Sequence, residues 1–294
     1  MTPLTRILAA TDLSAPARHA AQRAAMLARL TGGALELLHV LEKDALTELR
    51  RLFSQDSEVE QRMHQQAQEA LAELAEELGV PGPLPVGCHL IEGAVLSSIT
   101  EQADALGCKL VVVGAHGAGF MRHWLLGATA ERLLRKTMQP ILVVKEAPRG
   151  PYQTVLVAVD FSAWSLRAIS LAQAISPKAQ LQLLHACEIP FEGKMRFAGV
   201  AEDTIRQHRD TILREARARL DELAFDAGLA PGQWRPLVHF ANPTDYILEQ
   251  EEEQAADLIV MGKHGMGMTE ELLLGSVTKH VLGQARSDVL VVVR

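Results

Sequence analysis

Two short glycine segments in the second half of the chain have the spacing of an anion-binding site. Gly262–Gly265 (GKHG) follows an apolar run, and after nine further residues Gly275–Thr278 (GSVT) begins a predicted helix. The first N–H groups of a helix lack intrahelical partners and lie at the positive end of its dipole, so they bind anions. We therefore expect phosphate groups at Gly265, Gly275 and Ser276, where the serine hydroxyl adds a donor.

One further glycine and a carboxylate complete this predicted site. Gly262 ends the apolar run, and a glycine there predicts a turn with positive φ and close approach of a ligand to the backbone. Asp160 follows a second apolar run, Val155–Val159, and a carboxylate at a strand end accepts hydrogen bonds from ribose hydroxyls. The sequence contains neither a P-loop motif nor a GxGxxG turn after a strand, which excludes two other nucleotide-binding motifs.

The chain carries this pattern twice. Arg6–Ala15 (RILAATDLSA) and Thr154–Ala163 (TVLVAVDFSA) share five of ten residues. Leu110–Gly117 (LVVVGAHG) recurs as Leu258–Gly265 (LIVMGKHG), and both pairs are offset by 148 residues. A tandem duplication explains the constant offset.

We therefore predict two domains, at residues 1–147 and 151–294, joined by a linker with two prolines and a glycine at Lys145–Tyr152. Strands are predicted at Ile7–Thr11, Leu35–Val40, Val86–Ile91, Leu110–Val113, Ile141–Val144, Val155–Val159, Leu181–Ala186, Leu237–Phe240, Leu258–Met261 and Val289–Val293. Long amphipathic helices are predicted at Glu58–Leu78 and Glu202–Ala227, and Ser14 and Ser162 are predicted N-caps. Aliphatic strands alternating with helices indicate an α/β fold whose parallel sheet is covered on both faces.

These motifs resemble the universal stress protein family, and two such domains would cover nearly the whole chain. Four residues match the family's nucleotide signature of Gly, two residues, Gly, nine residues, Gly and Ser or Thr: Gly262, Gly265, Gly275 and Ser276. Val157–Ser162 (VAVDFS) and Asp257–Gly262 (DLIVMG) are further family motifs. The resemblance implies a five-stranded parallel sheet of order 3-2-1-4-5 in each half, sandwiched by helices, in an adenine nucleotide alpha hydrolase-like fold.

The resemblance also implies the ligand, which is ATP with or without Mg²⁺, bound between strands one and four of the second half. Asp160 would contact the ribose. Base and sugar would be bordered by Ala186, Met261 and Gly262. Phosphates would be held by Gly265, Gly275, Ser276 and Val277. Ala186 stands where ATP-binding members usually have valine, a mild departure because the contact there is largely through the backbone.

The first copy departs further from the signature. It keeps three glycines at the same spacing, Gly114, Gly117 and Gly127. Ala128 and Ala130, however, stand where the second copy has hydroxyl-bearing residues. A hydrogen bond to a charged group contributes about 1.5–3 kcal/mol, so losing one predicts roughly 10- to 150-fold weaker binding. The first copy also has Lys109 where the second has Asp257. It has Arg122, His123 and Trp124 where the second has Glu270, Glu271 and Leu272. We predict nucleotide binding in the second copy and weak or no binding in the first.

Composition excludes several other functions. The balance of 29 basic against 36 acidic residues and an aromatic content of 4% provide neither the basic face nor the stacking platforms of a nucleic-acid binder. No apolar run approaches the ~18 residues of a membrane span, and no secretory signal is evident. Cys88, Cys108 and Cys187 are widely spaced and are expected to be small buried residues. These features predict a cytoplasmic protein.

Histidines and acidic runs suggest no second site. His116 and His264 share one position of the glycine loop and are expected to pack or hydrogen-bond there, with a metal or acid–base role left open. His39 and His185, at the ends of predicted strands, are expected to be structural. No histidine pair has the spacing of metal ligands near a carboxylate, so no metal site is predicted. The acidic run Glu249–Glu253 is expected to be a solvated helix face.

The predicted site has no evident catalytic base, so we expect binding more than turnover. The first functional hypothesis is an ATP-binding stress-response regulator whose nucleotide state tunes contacts with an unknown protein partner. The alternatives are a nucleotide-independent scaffold, a small-ligand-binding protein, and a slow ATPase. The resemblance further implies pairing of Ile141–Val144 with Val289–Val293 in an intramolecular pseudo-dimer, which would cover two sheet edges. A homodimer of whole chains is left open.

Overall fold

The computed structural model describes residues 4–43, 47, 57–79, 82, 84–117, 126–188, 197–265 and 274–293. It divides into two compact units. The described part of the first comprises residues 4–151 together with 288–293, and that of the second comprises residues 152–287. Six residues whose differences between the copies were noted above lie outside the described residues: Arg122, His123, Trp124, Glu270, Glu271 and Leu272.

The first repeat forms a parallel sheet. Its strands are β1 (Arg6–Ala10), β2 (Ala34–Glu42), β3 (Val86–Gly93), β4 (Leu110–Gly114) and β5 (Ile141–Val144). Its helices are α1 (Ala15–Thr31), α2 (Ser57–Gly79), α3 (Val95–Ala105) and α4 (Ala128–Lys136). The strand order is β3-β2-β1-β4-β5, with parallel pairing throughout. The predicted order 3-2-1-4-5 is thus confirmed.

The second repeat follows the same plan. Its strands are β6 (Thr154–Ala158), β7 (Gln180–Cys187), β8 (Trp234–Phe240), β9 (Leu258–Gly262) and β10 (Asp288–Val292). Its helices are α5 (Ala163–Ile175), α6 (Glu202–Asp226), α7 (Pro243–Glu253) and α8 (Ser276–Gln284). Strands β8, β7, β6 and β9 pair in parallel in that order. β10 is grouped with the first unit, where it pairs antiparallel with β5.

Local sequence accounts for most of these elements. The side chains of β4 and β5 are almost fully buried, as expected for strands covered on both faces. Ser14 and Ser162 cap α1 and α5, because their hydroxyls accept hydrogen bonds from the N–H groups of Ala17 and Trp164. Among the described helices, none is long and apolar enough to cross a membrane.

Three expectations about individual segments were wrong or incomplete. Glu251, in the acidic run, is buried and accepts hydrogen bonds from the N–H groups of Arg286 and Ser287 at 2.8 and 2.6 Å, so it caps a turn and is not solvated. Cys88 is exposed, whereas the other two cysteines are buried. β8 begins three residues before the predicted start, because the early residues of this outer strand are polar or partly exposed.

A buried ion pair joins α1 to β10 within the first unit. Arg23 Nε lies 3.3 Å from Asp288 Oδ2, and the two side chains are 8% and 6% exposed. The guanidinium also donates to the carbonyl of Gly150 at 2.7 Å. The backbone N–H of Lys145 donates to Asp288 Oδ1 at 2.8 Å. Both carboxylate oxygens therefore have a partner, as a buried charge requires.

Removing the cation should strongly destabilise the first unit. We expect Arg23→Ala to lower the free energy of unfolding by about 3–5 kcal/mol, because Asp288 would stay buried without its counter-charge. Urea denaturation followed by circular dichroism measures this loss. In the Arg23→Met/Asp288→Asn double variant, which keeps an acceptor for Lys145, much of the loss should be recovered. Arg149→Ala, which breaks an exposed pair with Glu146, is the matched control and should change little. Equal losses in the single and double variants would contradict the role of the buried charge.

Candidate functional site

A tight turn after the first strand of the second repeat holds Asp160. Its Oδ1 accepts hydrogen bonds from the Ser162 N–H and the Ser165 hydroxyl, both at 3.0 Å. Phe161, between Asp160 and Ser162 in the sequence, has a left-handed φ of 60°. In the first unit, Leu13 has the same left-handed conformation directly after Asp12, with a φ of 65°. This conformation costs roughly 1–2 kcal/mol for a residue other than glycine, and its recurrence marks a strained turn of the kind found at binding sites.

The second oxygen of Asp160 faces a glycine of the loop after β9. Oδ2 is buried and has no hydrogen-bond partner among the described residues. A Cβ atom at Gly265 would lie 3.5 Å from this oxygen. A buried acceptor without a donor is costly, and a ligand hydroxyl placed here would satisfy it. The structure thus brings together Asp160 and Gly265, which are 105 residues apart in the sequence.

All of the sequence-predicted residues line one cavity. Its volume is about 480 Å³, within the range of small-molecule sites. The predicted residues in its lining are Asp160, Ala186, Met261, Gly262, Gly265, Gly275, Ser276 and Val277. Sequence reasoning missed several other lining residues, which are Trp164, Ser165, Glu188 and Ile247. Because these residues lie on α5, α7 and after β7, no local motif connected them to the glycines.

The glycines of the site are required for close packing. Gly262 does not have the positive φ that its position predicted, so that expectation was wrong. A Cβ there would lie 3.2 Å from the His264 carbonyl oxygen. At Gly275, a Cβ would lie 3.2 Å from the carbonyl oxygen of Lys263, to which the Gly275 N–H donates at 3.0 Å. A larger residue at either position would push apart the chain segments that surround the cavity.

The start of α8 provides the donors predicted for an anion. Gly275 precedes the helix with a φ of −56° and ψ of 146°, and no side chain among the described residues caps it. Ser276 is the first helical residue and is exposed at the cavity. Uncapped N–H groups at a helix start bind anions. The geometry therefore permits phosphate oxygens at this end of the cavity.

Thr278 has a structural role, contrary to expectation. Its hydroxyl donates to the carbonyl of Gly262 at 2.9 Å and is buried, so it fastens α8 to the end of β9. Its replacement by Ala130 in the first repeat does not remove a phosphate donor. Thr129, which corresponds in sequence to Val277, adds a hydroxyl to the lining of the first cavity. Of the two predicted losses of a hydroxyl in the first repeat, only the one at Ala128 still counts as the loss of a phosphate donor.

The first unit has a cavity of similar size. Its volume is about 460 Å³, and its lining includes Asp12 and Gly117. Asp12 Oδ1 accepts hydrogen bonds from the N–H and hydroxyl of Ser14 at 3.1 and 2.5 Å. A Cβ at Gly117 would lie 2.8 Å from Asp12 Oδ2, closer than the equivalent approach in the second unit. The same carboxylate–glycine contact is therefore built in both units.

Two equivalent histidines hold the turns that carry these carboxylates. His39 Nδ1 bonds to the Thr11 carbonyl at 2.8 Å, and His185 Nδ1 bonds to the Val159 carbonyl at 2.7 Å. The His185 ring also packs on Phe161, with centroids 4.3 Å apart, and the Arg219 guanidinium lies 3.9 Å above the Phe161 ring. These contacts agree with the expected structural role of both histidines, although His185 also lines the second cavity.

Burial lowers the pKa of His185, and the positive charge of Arg219 acts in the same direction. The hydrogen bond to Val159 and the charge of Asp160 partly oppose this shift. The lowered pKa means that the unfolded chain binds a proton at His185 more readily than the folded protein does. The contribution of His185 to stability is therefore fully present above the ordinary histidine pKa of about 6.5, and it is lost as the pH falls below that value.

We accordingly expect the second unit to lose stability between about pH 7 and pH 5. Urea denaturation across this range measures the slope of the free energy of unfolding against pH. His185→Asn, which keeps a donor for Val159, should flatten that slope. His280→Asn changes an exposed histidine of α8, and this variant should keep the slope of the unmodified protein. An unchanged slope in His185→Asn would show that this histidine is not responsible.

The role assigned to Thr278 is also testable. We expect Thr278→Val, which keeps the side-chain shape, to lower the free energy of unfolding by about 1–3 kcal/mol, because the buried Gly262 carbonyl loses its donor. Thermal and urea denaturation report the change. Ser276→Ala, at an exposed position of the same helix, should have a much smaller effect on stability. If the serine variant loses as much stability as the valine variant, the assignment is wrong.

Comparisons with known proteins agree with this architecture. The model of the universal stress protein family matches residues 3–145 and 151–293. A universal stress protein of Mycolicibacterium smegmatis is 26% identical over 294 residues, which covers 97% of this chain and 96% of that protein. Universal stress protein Rv1636 of Mycobacterium tuberculosis is 32% identical over 146 residues, which covers 48% of this chain and 96% of that protein.

A solved structure shows the same fold across the whole chain. The crystal structure of a universal stress protein from Archaeoglobus fulgidus superposes with a TM-score of 0.75 at 22% identity and covers 99% of both chains. Together with the two family matches, this places the chain in the universal stress protein family, with two domains of that family in tandem.

Proposed function

We propose that the chain binds ATP in the cavity of its second unit and acts as a stress-response regulator. In this role, nucleotide occupancy alters its contacts with a protein partner. The observation that carries the proposal is the buried Asp160 Oδ2, which lacks a donor among the described residues and faces Gly265 inside the cavity. A ribose hydroxyl is a donor of suitable size and chemistry for that position.

The residues that line the cavity offer several kinds of chemistry. Near β7 and β9 the lining is mainly apolar and includes Ala186, Met261 and Ile247, which suits the faces of an adenine ring. The lining also includes the start of α8, which no side chain among the described residues caps, and the exposed Ser276; both suit phosphates. Asp160 follows β6, which lies between β7 and β9 in the sheet. An adenine nucleotide has an apolar base, ribose hydroxyls and anionic phosphates, one part for each kind of lining.

ATP binding, with or without Mg²⁺, can be measured directly. The full-length protein is purified, stripped of bound nucleotide by partial unfolding and refolding, and titrated with ATP by calorimetry. We expect saturable binding that Gly265→Val abolishes, because its side chain would fill the space opposite Asp160. A Cβ at Gly265 meets Asp160 Oδ2 at an ordinary contact distance of 3.5 Å, so this variant should fold. No response to ATP in the unmodified protein would refute the proposal.

Ser276→Ala and Ala128→Ser form a matched pair of changes. The first should weaken ATP binding to the second unit roughly 10- to 150-fold, since a hydrogen bond to a charged group is removed. The second should strengthen any binding to the first unit, because it restores the missing hydroxyl. In Ala128→Ser we expect the calorimetric stoichiometry to rise from one towards two sites per chain. Unchanged affinity in both variants would show that the phosphates do not lie at the helix starts.

Turnover separates the regulator from a slow ATPase. Steady-state phosphate release above background in the unmodified protein, lost in Gly265→Val, would favour hydrolysis.

We also propose that the protein is cytoplasmic. Three free cysteines support this location, since thiols persist mainly in reducing compartments. Cell fractionation with an antibody against the chain tests this location.

A further inference from the structure

The face of α2 that packs on the sheet changes from apolar to ionisable towards the start of the helix. Ala67, Leu71 and Leu74 are buried on this face. Glu60 and His64 continue the same stripe at the spacing of three and four residues, and both are half-buried. Ionisable residues in an inward-facing stripe need partners across the interface.

The partner surface is the outer strand β3. Side chains alternate along a strand, so Cys88, Leu90 and Glu92 share one face. That face is turned towards α2, because Cys88 Sγ lies 4.0 Å from the Leu71 carbonyl oxygen. Leu90 and Met63 of α2 both pack against a buried apolar pair, Leu41 and Ala67. Glu92 therefore continues an inward row in the same way that His64 and Glu60 do.

The three ionisable side chains converge. His64 Nε2 lies 2.9 Å from Glu92 Oε1, with side-chain exposures of 33% and 41%. One ligand atom from each of Glu60, His64 and Glu92 lies within 4.8 Å of the other two. Two carboxylates at such separations repel each other, and a cation between them would offset that repulsion. The partial exposure leaves a path for an ion and for water.

We propose that Glu60, His64 and Glu92 form a binding site for a divalent transition-metal ion, with zinc(II) as the best match. One imidazole nitrogen and two carboxylate oxygens are ligands that zinc accepts, with water in the fourth position. Calcium and magnesium prefer oxygen ligands alone. Zinc bonds of about 2.0–2.2 Å require ligand atoms roughly 3.3 Å apart in a tetrahedron. On binding an ion, the partly exposed side chains would have to bring atoms that lie up to 4.8 Å apart to this distance.

The second unit shows that the fold itself does not require this cluster. Strand pairing puts Glu92 opposite Leu41, and the equivalent pair in the second unit is Phe240 opposite Cys187. There, the Arg209 guanidinium of α6 lies 5.4 Å from the centroid of the Phe240 ring. A cation–π contact thus stands where the first unit has two carboxylates and an imidazole. The ligand set is specific to the first repeat.

Zinc titration of the full-length protein tests the site. Protein treated with a chelator and then dialysed is titrated with zinc chloride by calorimetry, and cobalt(II) is used as a spectroscopic probe. We expect one equivalent of zinc per chain from this site. His64→Ala, Glu60→Gln and Glu92→Gln should each weaken its binding more than about tenfold, since even an outer partner of a metal ligand contributes that much. The cobalt complex should show visible absorption without a thiolate charge-transfer band.

Two matched controls exclude other zinc ligands. His208→Ala removes an exposed histidine of α6 in the second unit, and Cys88→Ser removes the exposed thiol on β3; both should bind zinc as the unmodified protein does. The two glutamine variants change only a carboxylate to an amide, and circular dichroism checks that they are folded. The proposal is overturned if the unmodified protein binds no zinc, if binding survives in both glutamine variants, or if Cys88→Ser abolishes it.

Discussion

In each unit, the carboxylate that follows the first strand lies directly against a glycine of the loop that follows the fourth strand. The rest of the site depends on this approach. In the first unit it requires Gly117 to lack a side chain, since a Cβ there would lie only 2.8 Å from Asp12 Oδ2, whereas a Cβ at Gly265 would make an ordinary contact with Asp160 Oδ2 at 3.5 Å. It also requires the intervening turn to bend sharply, which the left-handed Leu13 and Phe161 accomplish at some energetic cost. Serine hydroxyls and N–H groups hold one carboxylate oxygen, and a histidine on the second strand holds the carbonyl at the base of the turn.

Much of this arrangement could be predicted from the sequence because it depends on short-range patterns. Aliphatic runs gave the strands, and Ser14 and Ser162 were recognisable caps. The glycine spacing correctly indicated residues that meet in space. The left-handed φ of Phe161 was not predictable, because a bulky aromatic residue is an improbable choice there. The Thr278 hydrogen bond and the burial of Glu251 depend on partners 16 and 36 residues away, which no local pattern reveals.

The two repeats keep the backbone of the site and differ in its side chains. Ser276 and Val277 correspond to Ala128 and Thr129, so the hydroxyl shifts by one residue between the units. On the outer strand of each sheet, Phe240 corresponds to Glu92. The i,i+4 spacing of Glu60 and His64 was readable on the predicted helix, but Glu92 lies on another element and could be connected to them only by the fold. After duplication, each copy could vary such residues independently, because neither set is needed for the strand order.

The antiparallel pairing of β10 with β5, and the Arg23–Asp288 ion pair beside it, have a consequence for biosynthesis. Asp288, which accepts a hydrogen bond from the backbone N–H of Lys145, lies 143 residues after it in the chain. The whole second repeat must therefore leave the ribosome before the first unit is complete. Until then the nascent first repeat carries a guanidinium without that carboxylate and a bare strand edge at β5, and unpaired strand edges favour wrong pairing between chains. A gene fragment that encodes the first repeat alone would produce a protein fixed in that unfinished state.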